Sequence, residues 1–284
     1  MEVKKQEGRR GRARRNLVAL LSAPGPLDLV EASLWVAAEE YLGLDVEHEC
    51  ERVRLICSEG ARRVWNEPNP FAHLDGLRSY FFEELGFRGN VPNYNDPRNS
   101  FLNQVMDRHL GIPLTLSILF MELARAAGFE ACGIGLPGHF VIRVSYQGRK
   151  ILVDPFHGGS VIAEEDCKEL VTNSTGRSYL FRKDYLDGTS ERAVLARLLM
   201  NLKYAHLGRS DYSRALSVVE RLLIVSPDDS SEIRDRGFLQ ARLGHAGPAI
   251  ADLERYLTLA PHAPDTKSVE GRLVWLRRRV PHAS

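Results

Sequence analysis

His139 and Asp154 are the residues whose types and spacing carry chemistry in this chain. The first opens a predicted strand over 139–146 and the second lies near the end of a predicted strand over 150–155. Gln147 and Gly148 between them read as a short hairpin turn. Alternation along the first of these strands puts His139, Val141 and Arg143 on one face and Phe140, Ile142 and Val144 on the other. An imidazole and a carboxylate on one face can move protons on a bound ligand, serve a nucleophile, or form a buried hydrogen-bonded pair that supports the hairpin. His157 adds a second imidazole, and two histidines with one carboxylate are the set used by open metal sites. Pro155 and Phe156 intervene, however, and only the fold can bring His139 to both partners, so spacing alone assigns no metal and no other cofactor.

A helix followed by a hairpin carrying His and Asp resembles the core of papain-like and transglutaminase-like folds. In those enzymes a cysteine at a helix N-terminus attacks, because the helix end lowers its pKa; a histidine takes the proton and an aspartate fixes the imidazole. The helix end expected here reads Gly111-Ile112-Pro113-Leu114-Thr115, and Pro113 occupies the cysteine position. Proline has neither thiol nor hydroxyl. Ser117 is the substitute considered first, one turn on, roughly 40° around the helix and about 6 Å deeper. Thr115 lies closer to the end but on another face, and Cys132 belongs to the preceding strand, predicted over 130–135.

Helical periodicity supplies the supports. Apolar stripes predict helices from 27 to 43, from 46 to 65 and from 71 to 85, read as one packed bundle. Asp96 before Pro97 is a good N-cap, and the helix it starts is expected to run to Leu110. Asn99 and Asn103 would then share a face, either lining a cleft or bonding nearby backbone. The next helix, over 114–127, is apolar almost all round, as a helix buried in mid-domain should be. Further on, Ala215 recurs as Ala249, Arg221 as Arg255 and Pro227 as Pro261, each 34 residues later, the tetratricopeptide period. Helices are expected over 195–207, 213–225, 232–243 and 246–259, with a capping helix over 266–280, because two repeats cannot stand alone. Arg234, Asp235 and Arg236 read as a solvated, salt-bridged face, and Arg277 to Arg279 as solvated helix rather than a nucleic-acid contact.

Composition narrows the class. The 284 residues are 44% hydrophobic with a formal net charge of +1, an ordinary globular balance that gives no general reason to expect a polyanionic partner. One stretch differs: seven basic side chains fall between Lys4 and Arg15, with only Glu7 opposing them, which reads as a disordered basic arm. Cys50, Cys57, Cys132 and Cys167 show no CxxC pair and no zinc spacing, and reduced thiols are expected. No apolar run approaches the roughly 20 residues that span a bilayer, and the run from Leu17 to Leu21 is too short for a secretory h-region. A cytoplasmic protein is expected.

With these residues in hand, the chain resembles the SirB1 family of bacterial proteins. The resemblance rests on ASLWVAAEEYLGLD at 32–45, FFEELGFRGN at 81–90, NDPRNSFLNQVMDRHLGIPLTLS at 95–117, LPGHFVIR at 136–143, VDPFHGG at 153–159, and on NLKYAHL and RDRG further on. It implies an α+β fold: a transglutaminase-like domain with N-terminal helices and a small antiparallel sheet, then an all-α tetratricopeptide-like unit. Boundaries are expected at 1–26 for the arm, 27–189 for the first domain and 190–284 for the repeats. Carried over by position, the site-like residues are Asn95, Arg98, Asn99, Asn103, Pro113, His139 and Asp154. Asn95, Arg98, Asn99 and Asn103, with Arg143 on the His139 face, are the candidate binding residues, and His139, Asp154 and Ser117 the candidate catalytic ones. The expectation is a pseudoenzyme that binds a protein partner through its cleft and repeats. The alternative is a hydrolase or acyltransferase using His139 and Asp154 with a non-cysteine nucleophile, water or a metal.

Overall fold

The computed structural model describes residues 2–278. It divides into two compact units, and the division falls between Leu198 and Leu199. The stretch expected to be a disordered arm is instead mostly helical: α1 spans Glu2–Ser22. Ala13, Leu17 and Leu21, one turn apart, are buried where α1 packs on α2 (Leu29–Ala38), and Arg14 pairs with Glu39 at 3.1 Å. Burial of that stripe outweighs the basic composition that suggested disorder.

Aspartates and asparagines set the next helix starts. Asp28 accepts from the Glu31 amide at α2, Asp45 from the His48 amide at α3 (Val46–Val64), and Asn69 from the Phe71 amide at α4 (Pro70–Arg78). The helix predicted over 71–85 continues past α4 only as a π-helical turn, Ser79–Glu84. The helix predicted from Asp96 to Leu110 is two pieces. Asp96 caps a 3-10 turn, Pro97–Asn99, and α5 (Leu102–Arg108) starts afresh and ends at His109 in the left-handed conformation. Two short strands missed by the periodicity, β1 (Arg88–Gly89) and β2 (Leu110–Gly111), pair in parallel.

α6 (Pro113–Ala126) is the buried centre of this unit, packed on α3 and on the sheet. A Cβ at Gly60 of α3 would meet Leu123 Cδ1 at 2.5 Å and the Tyr80 ring at 2.9 Å, so a larger residue there would push these side chains aside where α3 packs on α6. The sheet holds β3 (Glu130–Leu136), β4 (His139–Tyr146), β5 (Arg149–Asp154) and β6 (Ser160–Ile162), antiparallel and in that order. Gln147 and Gly148 both take positive φ, 49° and 78°, the mirror-image turn that matches strand twist. The β4 face carrying Val141 buries against Ile134, Leu136, and Cys167 and Val171 of α7 (Glu164–Thr175).

α8 (Glu191–Gly208) runs across the division. The second unit continues with α9 (Tyr212–Val225), α10 (Ser230–Arg242), α11 (Ala246–Leu259) and α12 (Thr266–Arg277). The repeat-equivalent Ala215 and Ala249 are both fully buried, and Val269, Leu273 and Leu276 of α12 close the same apolar cluster, as a capping helix should. Arg279 and Val280 lie outside the described residues. The charged cluster at 234–236 is salt-bridged, as expected, and only partly exposed. Arg234 bonds Asp235 and Asp265, Arg236 bonds Asp252 at 2.6 and 2.7 Å, and Asp235 holds Lys203.

Candidate functional site

Ile142 of β4 stands opposite Val153 of β5, so His139 and Asp154 project from the same face of the sheet. They meet: His139 Nε2 lies 2.9 Å from Asp154 Oδ2, with His139 6% and Asp154 1% exposed. A chain reversal supplies the third member. Asp154 Oδ1 accepts from the Phe156 amide at 3.0 Å and caps the 3-10 turn Pro155–His157, which swings His157 Nδ1 to 2.7 Å from the same Oδ2. Gly158 and Gly159 follow in left-handed conformations, and the Gly159 amide returns to the Asp154 carbonyl at 2.9 Å. The His139 and His157 rings lie 5.7 Å apart and 26° from parallel, and the His157 side chain is 55% exposed. Burial alone would raise the Asp154 carboxyl, but hydrogen bonds and charge from His139, then from His157, outweigh it and hold the group below its ordinary value.

Aromatic and cationic neighbours fix the surroundings. Phe156 sets its edge to His139 at 6.1 Å and contacts Tyr94 at 5.8 Å. Gly89 makes room for it, since a Cβ there would sit 2.6 Å from the Phe156 ring. Arg197 Nη2 donates to the carbonyls of Leu136 and His139, each at 2.6 Å, and so ties the ends of the β3–β4 turn to α8. Tyr94, Phe156 and Arg197 were not singled out from the sequence. Arg197 acts on backbone oxygens, which leaves no residue pattern to read.

The remaining expected site residues scatter. Pro113 is buried at the first position of α6, and the helix end is closed by its own chain: the Ile112 amide donates to Thr115 Oγ1, whose hydroxyl donates to the Asn99 carbonyl. Thr115 is therefore consumed in bracing. Ser117 is fully buried, and its Oγ has no hydrogen-bond partner among the described residues, His139 included. This corrects its reading as a nucleophile, which needs hydrogen-bond reach to the base. Cys132 stands opposite Arg143, at the other end of the β3–β4 pairing from His139.

Asn99 and Asn103 do not share a helix face, because the chain turns between them at Ser100. Asn99 is a loop brace: its amide donates to the Asn93 and Tyr94 carbonyls, and its Oδ1 accepts from Asn90 and Arg108. Asn103 is buried, and its Oδ1 has no hydrogen-bond partner among the described residues. Asn95 is exposed, and Arg98 is held by Asp96 at 2.7 Å. Arg143 is not a free binding group; it donates to the carbonyls of Leu186 and Asp187 and fastens that stretch to the sheet.

A buried His–Asp pair on adjacent strands beside an α6 that packs on the same sheet defines a transglutaminase-like protein, here with a helical-repeat unit. The family model described as the transglutaminase-like superfamily matches residues 47–200, and that of the tetratricopeptide repeat matches 202–273. Among relatives, the UPF0162 protein of Xylella fastidiosa (strain Temecula1) is 33% identical over 87% of this chain and 89% of its own. The UPF0162 protein of Vibrio cholerae is 29% identical over 84% and 88%, and Protein SirB1 of Salmonella typhimurium 26% identical over 84% and 89%. The chain belongs to the SirB1 family, the transglutaminase-like proteins named UPF0162 and SirB1. Among the described residues no helix is long and apolar enough to cross a membrane.

Proposed function

We propose that this chain is a cytoplasmic, non-catalytic transglutaminase-like protein that binds or positions a protein partner through its helical repeats and the surface around His139. The observation that carries the reading is the N-terminus of α6. Pro113 stands where the attacking group would be, Thr115 is spent on capping, and Ser117 is sealed in the core. A base and its orienting carboxylate with nothing to activate are suited to recognition rather than covalent chemistry. Tetratricopeptide units commonly offer peptide-binding faces, and Tyr204 and Leu259 of the second unit are exposed.

One observation favours a second reading. The 2.9 Å His139–Asp154 bond keeps an acid–base pair in working order, sufficient for a hydrolase or acyltransferase that activates water. Quantitative capture from native lysate, comparing wild type, His139→Ala and a Tyr204→Ser/Leu259→Ser variant, separates the two when paired with turnover assays on amides and esters. Loss of a partner in the repeat variant, with no turnover by wild type, supports the binding role. Turnover with a pH–rate profile that vanishes in His139→Ala overturns it.

A further inference from the structure

We propose that His139, Asp154 and His157 form a binding site for one divalent first-row transition metal ion of the zinc class. Along the sequence His139 is remote from the other two. The fold does bring it there, and the three ligand atoms, Nε2, Oδ2 and Nδ1, lie within 4.8 Å of one another. Two of the separations, 2.9 and 2.7 Å, meet at Asp154 Oδ2. Bonds of about 2.0–2.1 Å from one ion to nitrogen and oxygen would separate such ligands by roughly 3.3 Å in a tetrahedron. The ion therefore needs an opening of a few tenths of an ångström at Asp154. The remaining adjustment falls on His157, whose side chain is over half exposed.

The surroundings suit a metal ligand set. Asp154 Oδ1 is already held by the Phe156 amide, so Oδ2 is left to coordinate while its partner oxygen keeps an outer hydrogen bond that fixes the carboxylate. The Phe156 edge and the backbone anchoring by Arg197 fix the position of His139. Two imidazole nitrogens and one carboxylate oxygen select zinc, iron, cobalt or nickel over calcium and magnesium, which prefer all-oxygen shells. Three protein ligands leave at least one coordination position for water or an added ligand. Neutral imidazoles and one carboxylate leave the bound site with a single net positive charge.

The test uses the full chain, purified without a histidine tag and treated with chelator, and titrates it with Co2+ under visible absorption, then displaces Co2+ with Zn2+. One saturable equivalent with d–d bands of a nitrogen- and oxygen-ligated site is expected. His157→Ala should weaken binding at least about tenfold with circular dichroism and melting unchanged, since that ring is mostly exposed. Asp154→Asn should weaken it further, and His48→Ala, an exposed histidine at the start of α3, should leave it intact. Absence of saturable uptake by wild type, or wild-type affinity in His157→Ala, overturns the proposal.

Discussion

Two clusters of charge are built on opposite plans. Around Asp154 one carboxylate serves two imidazoles, one of them largely in solvent. Around Lys203, which is 2% exposed, one ammonium serves two carboxylates: Nζ lies 2.7 Å from both oxygens of Glu232 and 2.6 Å from Asp235. Every donor of that lysine is used. Asp235 passes the chain of bonds to Arg234, and Arg234 to Asp265 just before α12, where the Tyr256 hydroxyl also ends. The Lys203 cluster is closed and binds helices to one another. The Asp154 cluster keeps an exposed member and unspent ligand capacity, which is the difference between a brace and a site.

The largest effect should come from breaking the brace. Lys203→Met strands the buried Glu232 without its cation, while Asp235 keeps Arg234, and should cost about 3–5 kcal/mol, read from urea unfolding. Asp154→Asn removes the charge and one of the two acceptor oxygens but leaves an amide oxygen and an exposed His157 ring that can turn to solvent, and about 1–3 kcal/mol is expected. Equal losses in the two variants would erase the contrast. The alkaline limb sharpens it. Burial opposes the Lys203 charge, yet Asp235 and Glu232 together hold its pKa above the ordinary 10.5. The stabilisation is thus fully present below that value and is lost as pH rises through the higher folded one, so wild type should weaken in alkali where Lys203→Met does not. Glu232 is raised by burial despite its bond to Lys203, so it does not contribute stability at neutral pH by this route. The smallest change is expected for His157→Ala, within about 0.5 kcal/mol of wild type by thermal melting.

How far the sequence could be read depended on whether a feature lived in a pattern or in a contact. Alternation and the Gln147-Gly148 turn placed β4 to the residue, and with it the shared face of His139 and Asp154. The 34-residue recurrence placed α9 and α11 closely. β6, three residues after two glycines, is too short to show alternation. The break at Ser100 escaped because Asp96-Pro97 starts a 3-10 turn and an α-helix with the same residues, and the Thr115 bond to Asn99 that accompanies the turn is a tertiary contact. Arg143 looked available on its strand face, but its partners are carbonyls that arrive from Leu186 and Asp187. His157 was legible as a ligand type; its direction came from a turn capped by Asp154.

The winding of residues 2–22 into α1 changes what dissolved salt does to the amino-terminal region. In an extended arm its basic residues would keep their distance. On a helix Arg10 and Arg14 stand one turn apart and repel by a few tenths of a kcal/mol, while the part-buried Arg14–Glu39 pair attracts and is screened less. Counter-ions screen that repulsion over a Debye length of about 8 Å at physiological strength and less above it, whereas the burial of Leu17 and Leu21 is not screened. Backbone amides around Arg10 should accordingly exchange their hydrogens more slowly as ionic strength increases.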